Sequence, residues 1–415
     1  MGVATTPSYD RRASASLFSR LRTARGQADP FPIYAELLSR GEVVPAPWGG
    51  FAVTGFAACD QVLRSRQWLE PDREWRERQG AGTRWNAPSS REMSNTLAAL
   101  NVPDHTRVRR AAGTFDRSTV ERIGHNVERT ADRLLDAFTE RIRTGEADFS
   151  ELVCEELPVA TIGEWLGLPR ADWPMLRELT HDQVFTQELL PSASQLALSD
   201  AATAELRTYF TELVRDRRSH PGNDPVTGWI QAWDAIEPDQ DKADEAVYFL
   251  VLFVVLAALE TTATLLSTMT LRLVESPERW HMVADDPDLV PGFVEETLRY
   301  DPPTHVISRV ASQDTVLGGF EIRRDEMVHL MIGAAHRDPA RHGDPDRFDP
   351  ARVPGHLAFS GGIHYCLGAP LARLEAQTLL RQLIRRLPRL TLVRPPSMAP
   401  RVAFRRLLNL DVAVA

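Results

Sequence analysis

Residues 359–375 read FSGGIHYCLGAPLARLE, and the fold turns on how Cys366 is set within them. A cysteine between glycines, immediately before an apolar helix carrying arginine, favours a thiolate. Backbone N–H groups in the glycine turn and at the helix start present positive potential to the sulfur. Gly362 and Gly368 have no Cβ and can adopt φ > 0, so a flat macrocycle can lie against the backbone. A lone cysteine is more often a buried structural residue. The full spacing of Phe359, Gly362, His364, Cys366 and Gly368 is much more specific than that.

The surrounding chain has 415 residues, 43% hydrophobic and 25% charged, enough to bury a large core. No Pro/Gly/Ser-rich linker divides it, so one domain over residues 26–415 is expected, after a flexible segment over 1–25. A net charge of −9 argues against a nucleic-acid binder, which needs clustered positive charge. Cys59, Cys154 and Cys366 are few and scattered, which suits a reducing compartment and not a disulfide framework. The opening MGVATTPSYDRR has no apolar core, and the longest apolar run, 247–259, falls short of the ~18 residues expected of a membrane span. A soluble, cytoplasmic protein with no membrane contact is expected.

Periodicity gives a fold class that is mostly α with small β-sheets. FPIYAELLSRG (31–41) is helical with a glycine stop, and residues 42–56 alternate around Trp48-Gly49-Gly50 as a β-hairpin. Residues 70–100 read as a long loop of the kind used for lids. Helical pattern runs over 106–143 and, with interruptions, to 218; a long helix spans about 244–276. Short strands are expected over 305–332 around Gly318-Gly319, ordered coil over 333–358, and a final helix over about 367–387.

The Cys366 pattern resembles the haem-binding signature of the cytochrome P-450 family, with Ser360 where a glycine is usual. Further landmarks follow in the family's order. Glu296-Thr297-Leu298-Arg299 resembles its E-x-x-R pair, three apart on one helix face, and Arg347 of RFDP would complete a Glu-Arg-Arg network that supports the fold. NVPDHTRVRR (101–110), with Val102 in place of a proline, puts His105 and Arg109 four apart on one face. The resemblance makes these two, with Arg309 and His364, the holders of the haem propionates, since carboxylates attract Arg and His⁺. LAALETTATLL (256–266) resembles the oxygen-activating segment: Thr261 is the hydroxyl facing dioxygen and Glu260 the proton-relay acid. Taken without the family, Glu260 and Thr261 read equally well as a satisfied core carboxylate and a hydroxyl bonded back to a helical carbonyl. Ala257 would lie against the haem, and Ala258 stands where glycine is usual.

The resemblance implies a monooxygenase using haem b, O2 and two externally supplied electrons to hydroxylate or epoxidise a small, largely apolar molecule. Secondary metabolites such as polyketides or macrolides are the substrates such soluble members commonly take. Trp85, Met93, Leu97, Phe185, Ala258 and Val306 are the expected pocket residues, with Leu189 in the lid. No flavin or iron–sulfur segment is evident, so separate ferredoxin and ferredoxin reductase partners are expected, with Arg107, Arg110 and Arg373 as docking charges. A peroxide-driven peroxygenase and a non-catalytic haem sensor are the competing readings. The Glu260–Thr261 pair disfavours the first, and the lack of an effector segment disfavours the second.

Overall fold

The structure, a computed structural model, describes residues 11–80, 82–113, 117–352 and 355–415. It is helix-rich with small sheets, and the chain forms two compact units. The first comprises the chain as far as Pro71, with Gly292–Cys366 and Pro396–Leu408; the second comprises Asp72–Pro291, Leu367–Pro395 and Asn409–Ala415.

In the first unit, five strands pair in the order Val43–Pro45, Phe51–Val53, Met327–Met331, Val306–Ala311 and Trp68–Leu69. The first two make the expected antiparallel hairpin, Val43 opposite Val53, and only Phe51–Val53 with Met327–Met331 is parallel. A second hairpin joins Thr315–Leu317 to Phe320–Ile322 through Gly318 (φ 55°) and Gly319 (φ 81°). Two successive left-handed residues match the twist of a two-residue hairpin, which is why glycines stand there. Val53, Val62, Leu330 and Ile332 share one apolar core with Cys59, and burying each such aliphatic side chain contributes about 1.5–3 kcal/mol.

Residues 1–10 of the expected flexible segment lie outside the described residues. The rest of that segment differs from the expectation: Arg11–Leu21 and Ala24–Ala28 are helices, with Leu17, Phe18 and Leu21 buried. Phe18 meets the edge of Trp48 with ring centroids 4.8 Å apart. A polar, arginine-rich stretch is thus ordered by three apolar side chains at helical spacing.

The second unit is built on the helix Gln240–Val274, which is buried nearly all round from Val247 to Thr270. Asp239 caps its start by accepting from the Lys242 N–H. It packs against Glu156–Trp165, Trp173–Gln183, Ala193–Ser219, Pro225–Asp234 and Ala369–Arg386. Although this helix is long and apolar enough to cross a membrane, its most apolar stretch is mostly buried among those neighbours. The helical pattern over 106–143 divides into Asp104–Ala111 and Arg117–Ile142, with 114–116 outside the described residues. The 70–100 loop holds short helices at Arg73–Glu77, Arg84–Asn86 and Pro88–Met93. Asp72 caps the first by accepting the Trp75 N–H at 2.9 Å, and Pro88 occupies the first position of the last.

Candidate active site

None of the three cysteines is in a disulfide, and burial separates them. Cys59 and Cys154 are fully buried, and loss of solvent pushes both thiols far above their ordinary pKa. Only Cys366 is partly accessible. Its backbone N–H donates to the Phe359 carbonyl at 2.9 Å, closing a turn that includes the single 3₁₀ turn Gly362–His364. Gly362 sits at φ 63°, and a Cβ there would stand 2.5 Å from the Leu63 carbonyl oxygen, so only glycine fits. Gly368 has φ −85° and needs no such freedom; it caps the helix Ala369–Arg386. Ser360, in the usual glycine's place, is held at φ 60° with its hydroxyl buried and unpaired.

Also in the first unit, Arg309 and His364 converge on one carboxylate. The Arg309 guanidinium, 3% exposed, lies 2.5 Å from Glu70, and the His364 ring 4.0 Å from the same oxygen. A buried arginine and a histidine grouped about a carboxylate form a donor set whose chemistry fits a haem propionate. In the second unit, His105 is buried and Arg109 half-exposed one turn later. Loss of solvent and then the Arg109 charge lower the His105 pKa, which favours the neutral ring.

Glu296 and Arg299 are bound side by side through two hydrogen bonds of 2.7 Å, both side chains fully buried. The third member of the network is not Arg347. That side chain is 69% exposed and only 4.0 Å from Asp349, and its contribution is a carbonyl that accepts from Arg299. Arg352 reaches Glu296 instead, at 3.3 Å, and spans the turn by donating to the Gly343, Asp344 and Arg347 carbonyls. The physical reason is reach: Arg347 lies on the outer side of the turn, and Arg352 comes back under it.

Along the buried helix Gln240–Val274, Phe253, Ala257, Ala258 and Thr261 keep partial or full exposure. They fall at helical spacing on one face, and Ala257, Ala258 and Thr261 make a bare strip of small side chains against which a flat, apolar group fits. Thr261 donates its hydroxyl to the Ala257 carbonyl at 2.7 Å, leaving its lone pairs as acceptors. Glu260, 2% exposed, is bound to His181 Nδ1 at 2.5 Å, and His181 Nε2 is bound to Glu155 at 2.7 Å. The sequence singles out Glu260 and Thr261, but it gives no local signal for His181 and Glu155, which stand behind Glu260.

Of the expected pocket residues, Met93, Leu97, Phe185, Leu189 and Val306 are buried, and Trp85 is partly exposed. Trp85 meets the edge of Trp75 at 5.1 Å and lies under the Arg84 guanidinium at 4.5 Å. Arg84 also donates to the Leu189 carbonyl at 2.7 Å and the Thr186 carbonyl at 3.3 Å, and Ser90 bonds Thr186 at 3.0 Å. The 70–100 loop is thereby stapled to the segment carrying Phe185 and Leu189. Burial lowers the Arg84 pKa to about 10, which leaves it charged at neutral pH.

A family model described as Cytochrome P450 matches residues 194–400. The chain is 35% identical over 307 residues to the "Biotin biosynthesis cytochrome P450" of Bacillus subtilis (strain 168), covering 73% of this chain and 75% of that one. It is 32% identical over 372 residues to the "Cytochrome P450 monooxygenase PikC" of Streptomyces venezuelae, covering 88% and 85%. The structure of P450BioI in complex with an acyl carrier protein ligated to hexadec-9Z-enoic acid matches with a TM-score of 0.86 at 29% identity, over 94% of this chain and 99% of that one. With the Cys366 turn and the bare helix strip in place, the chain belongs to the cytochrome P450 family and is a cytochrome P450 monooxygenase.

Proposed function

We propose that residues 26–415 act as one monooxygenase domain that binds haem b through Cys366. In this reading the domain inserts one atom of O2 into a small, largely apolar secondary metabolite, by hydroxylation or epoxidation. The observation that carries this is the Cys366 turn, the one partly accessible thiol on a backbone that only glycine allows at Gly362. When bound, the haem supplies dioxygen activation, which a thiolate ligand favours by donating electron density. His105 and Arg109, with Arg309 and His364, hold its propionates, and Phe359, Gly362, Gly368 and Ala257 lie against it. Glu296, Arg299 and Arg352 fix the coil that precedes the cysteine. Thr261 presents the hydroxyl that faces dioxygen, and Glu260 relays the protons that dioxygen activation consumes. Trp85, Met93, Leu97, Phe185, Ala258 and Val306 line the substrate space, where the Ala258 methyl narrows the strip.

Polyketide and macrolide chemistry is supported by relatives named "Polyketide biosynthesis cytochrome P450 PksS" and PikC. Electrons come from a separate ferredoxin and ferredoxin reductase in the cytoplasm. Ile363 and Tyr365, each 43% exposed beside Cys366, offer an apolar docking surface. Arg110 is exposed and Arg373 half-exposed, whereas Arg107 is engaged with Glu237 at 3.2 Å and stacked over Trp233. Arg110 therefore carries more of the docking charge than Arg107, with Arg373 beside it as a further candidate. The test is a panel of polyketide and macrolide candidates, scored first by the shift of the haem band and then by turnover with NADPH, O2, ferredoxin and reductase. Product that forms only with peroxide, and not with NADPH and O2, would favour a peroxygenase.

A further inference from the structure

Glu260 is a carboxylate inside an apolar helix, and such a group persists only where a partner meets it. Its partner is His181, on the helix Trp173–Gln183, and behind His181 stands Glu155. We propose that His181 is the positioning residue for Glu260: it fixes the carboxylate and stores, in the Nδ1–Oε2 hydrogen bond, the proton that Glu260 passes to the Thr261 side. Glu155 anchors the other face of the ring. This rests on the reading of Glu260 and Thr261 as the proton-delivering pair.

Two features of the geometry support the assignment. Glu260 is only 3% exposed, whereas His181 is 13% and Glu155 10% exposed, so His181 and Glu155 are the pair that exchanges with solvent. Glu155 follows a π-helical turn, Ser150–Cys154, and its N–H donates to the Ser150 carbonyl at 2.9 Å. Such a widened turn re-aims the residues after it and recurs at functional sites. Here it turns Glu155 to His181 while the next residue, Glu156, pairs with Arg177 one helical turn earlier.

The proton balance closes within the site. With both ring nitrogens protonated, the imidazolium lies between two carboxylates and the net charge is −1. Moving the Nδ1 proton to Glu260 Oε2 leaves a neutral ring, a neutral Glu260 and an anionic Glu155 at the same net charge. When Glu260 gives up that proton, the site is one proton short, and solvent replaces it. Burial depresses the His181 pKa, but the hydrogen bonds and charges of Glu155 and Glu260 outweigh burial and raise it overall. Glu155 and Glu260 are the acids that raise it from the segments facing the ring; on its own helix, Arg177 is tied to Glu156. Above the raised pKa the neutral ring has one N–H for two carboxylates, and the stored proton is lost.

The experiment uses the holoenzyme. In the diamagnetic ferrous–CO state, ¹⁵N-histidine spectra report the protonation of His181, assigned by its loss in His181→Gln. The ring is expected to be doubly protonated at pH 7, with its midpoint lowered by about one unit or more in Glu155→Gln. The second readout is peroxide released per O2 consumed, with NADPH and a plant-type ferredoxin and reductase, without added substrate. In wild type this yield rises as pH passes the His181 midpoint. In His181→Gln, which keeps an amide donor but cannot titrate, it is high and flat. Arg177→Gln, which removes the neighbouring cross-helix pair, keeps the wild-type profile. A neutral His181 at pH 7, or a wild-type profile in His181→Gln, overturns the role of His181 while the site reading stands. Absence of a thiolate-type CO band in wild type overturns the site reading and this role together.

Discussion

The backbone N–H of Cys366 donates to the carbonyl of Phe359 at 2.9 Å, so the cysteine closes its own turn. The turn contains two residues in the left-handed region, Gly362 and Ser360. Gly362→Ala would put a methyl 2.5 Å from the Leu63 carbonyl oxygen on top of a conformational cost of roughly 1–2 kcal/mol. It is expected to lower haem content and unfold earlier. Ser360→Gly relieves φ 60° and a buried unpaired hydroxyl, and should stabilise by about 1 kcal/mol in urea titrations of the holoenzyme.

Arg352 and Arg347 give opposite expectations in the same assay. Arg352→Ala removes a charge-assisted bond to Glu296 and three carbonyl contacts, and should destabilise by roughly 1.5–3 kcal/mol. Arg347→Ala trims an exposed side chain and should stay within about 0.5 kcal/mol of wild type. Equal losses in thermal unfolding would contradict the network.

How much of this was legible depends on where the partner lies. The Cys366 turn, the hairpin over 42–56, the short strands around Gly318-Gly319 and the helix Gln240–Val274 follow local rules of spacing, glycine placement and apolar length, and they stand where the sequence puts them. Arg347 and Arg352 are both arginines in one coil, and only the path of the chain decides which reaches Glu296. His181 lies 79 residues from Glu260, and Arg84 lies 105 from Leu189; nothing in either segment names the other. The helices over 11–28 were hidden by a polar composition that three buried side chains override.

Arg84→Ala cuts the staple between the 70–100 loop and the Thr186 and Leu189 carbonyls. Two part-buried bonds to a charged group are lost, about 1.5–3 kcal/mol each before relaxation. The expected result is faster proteolysis within residues 70–100 and weaker substrate binding in haem-band titrations. Unchanged binding and unchanged proteolysis would show that the loop is held by other contacts.

Glu375, on the final helix, is fully buried with one oxygen unpaired. Burial pushes its pKa up to about 7, opposed by a hydrogen bond with Thr161. The folded chain therefore holds a proton that the unfolded chain releases near its ordinary pKa of 4.5. Stability from this group is complete below that value and falls as pH rises toward 7, by at most ~3 kcal/mol. Glu375→Gln should flatten the decline in unfolding free energy between pH 5 and pH 8 and gain most at the upper end. A profile as steep as wild type would place the titration elsewhere.

The central claim is that Cys366 is the haem ligand, and the CO spectrum of the reduced protein tests it most directly. The wild type, Cys59→Ser and Cys154→Ser should each show the strongly red-shifted Soret band of thiolate ligation, and Cys366→Ser should lose it. A red-shifted band that persists in Cys366→Ser would contradict the account.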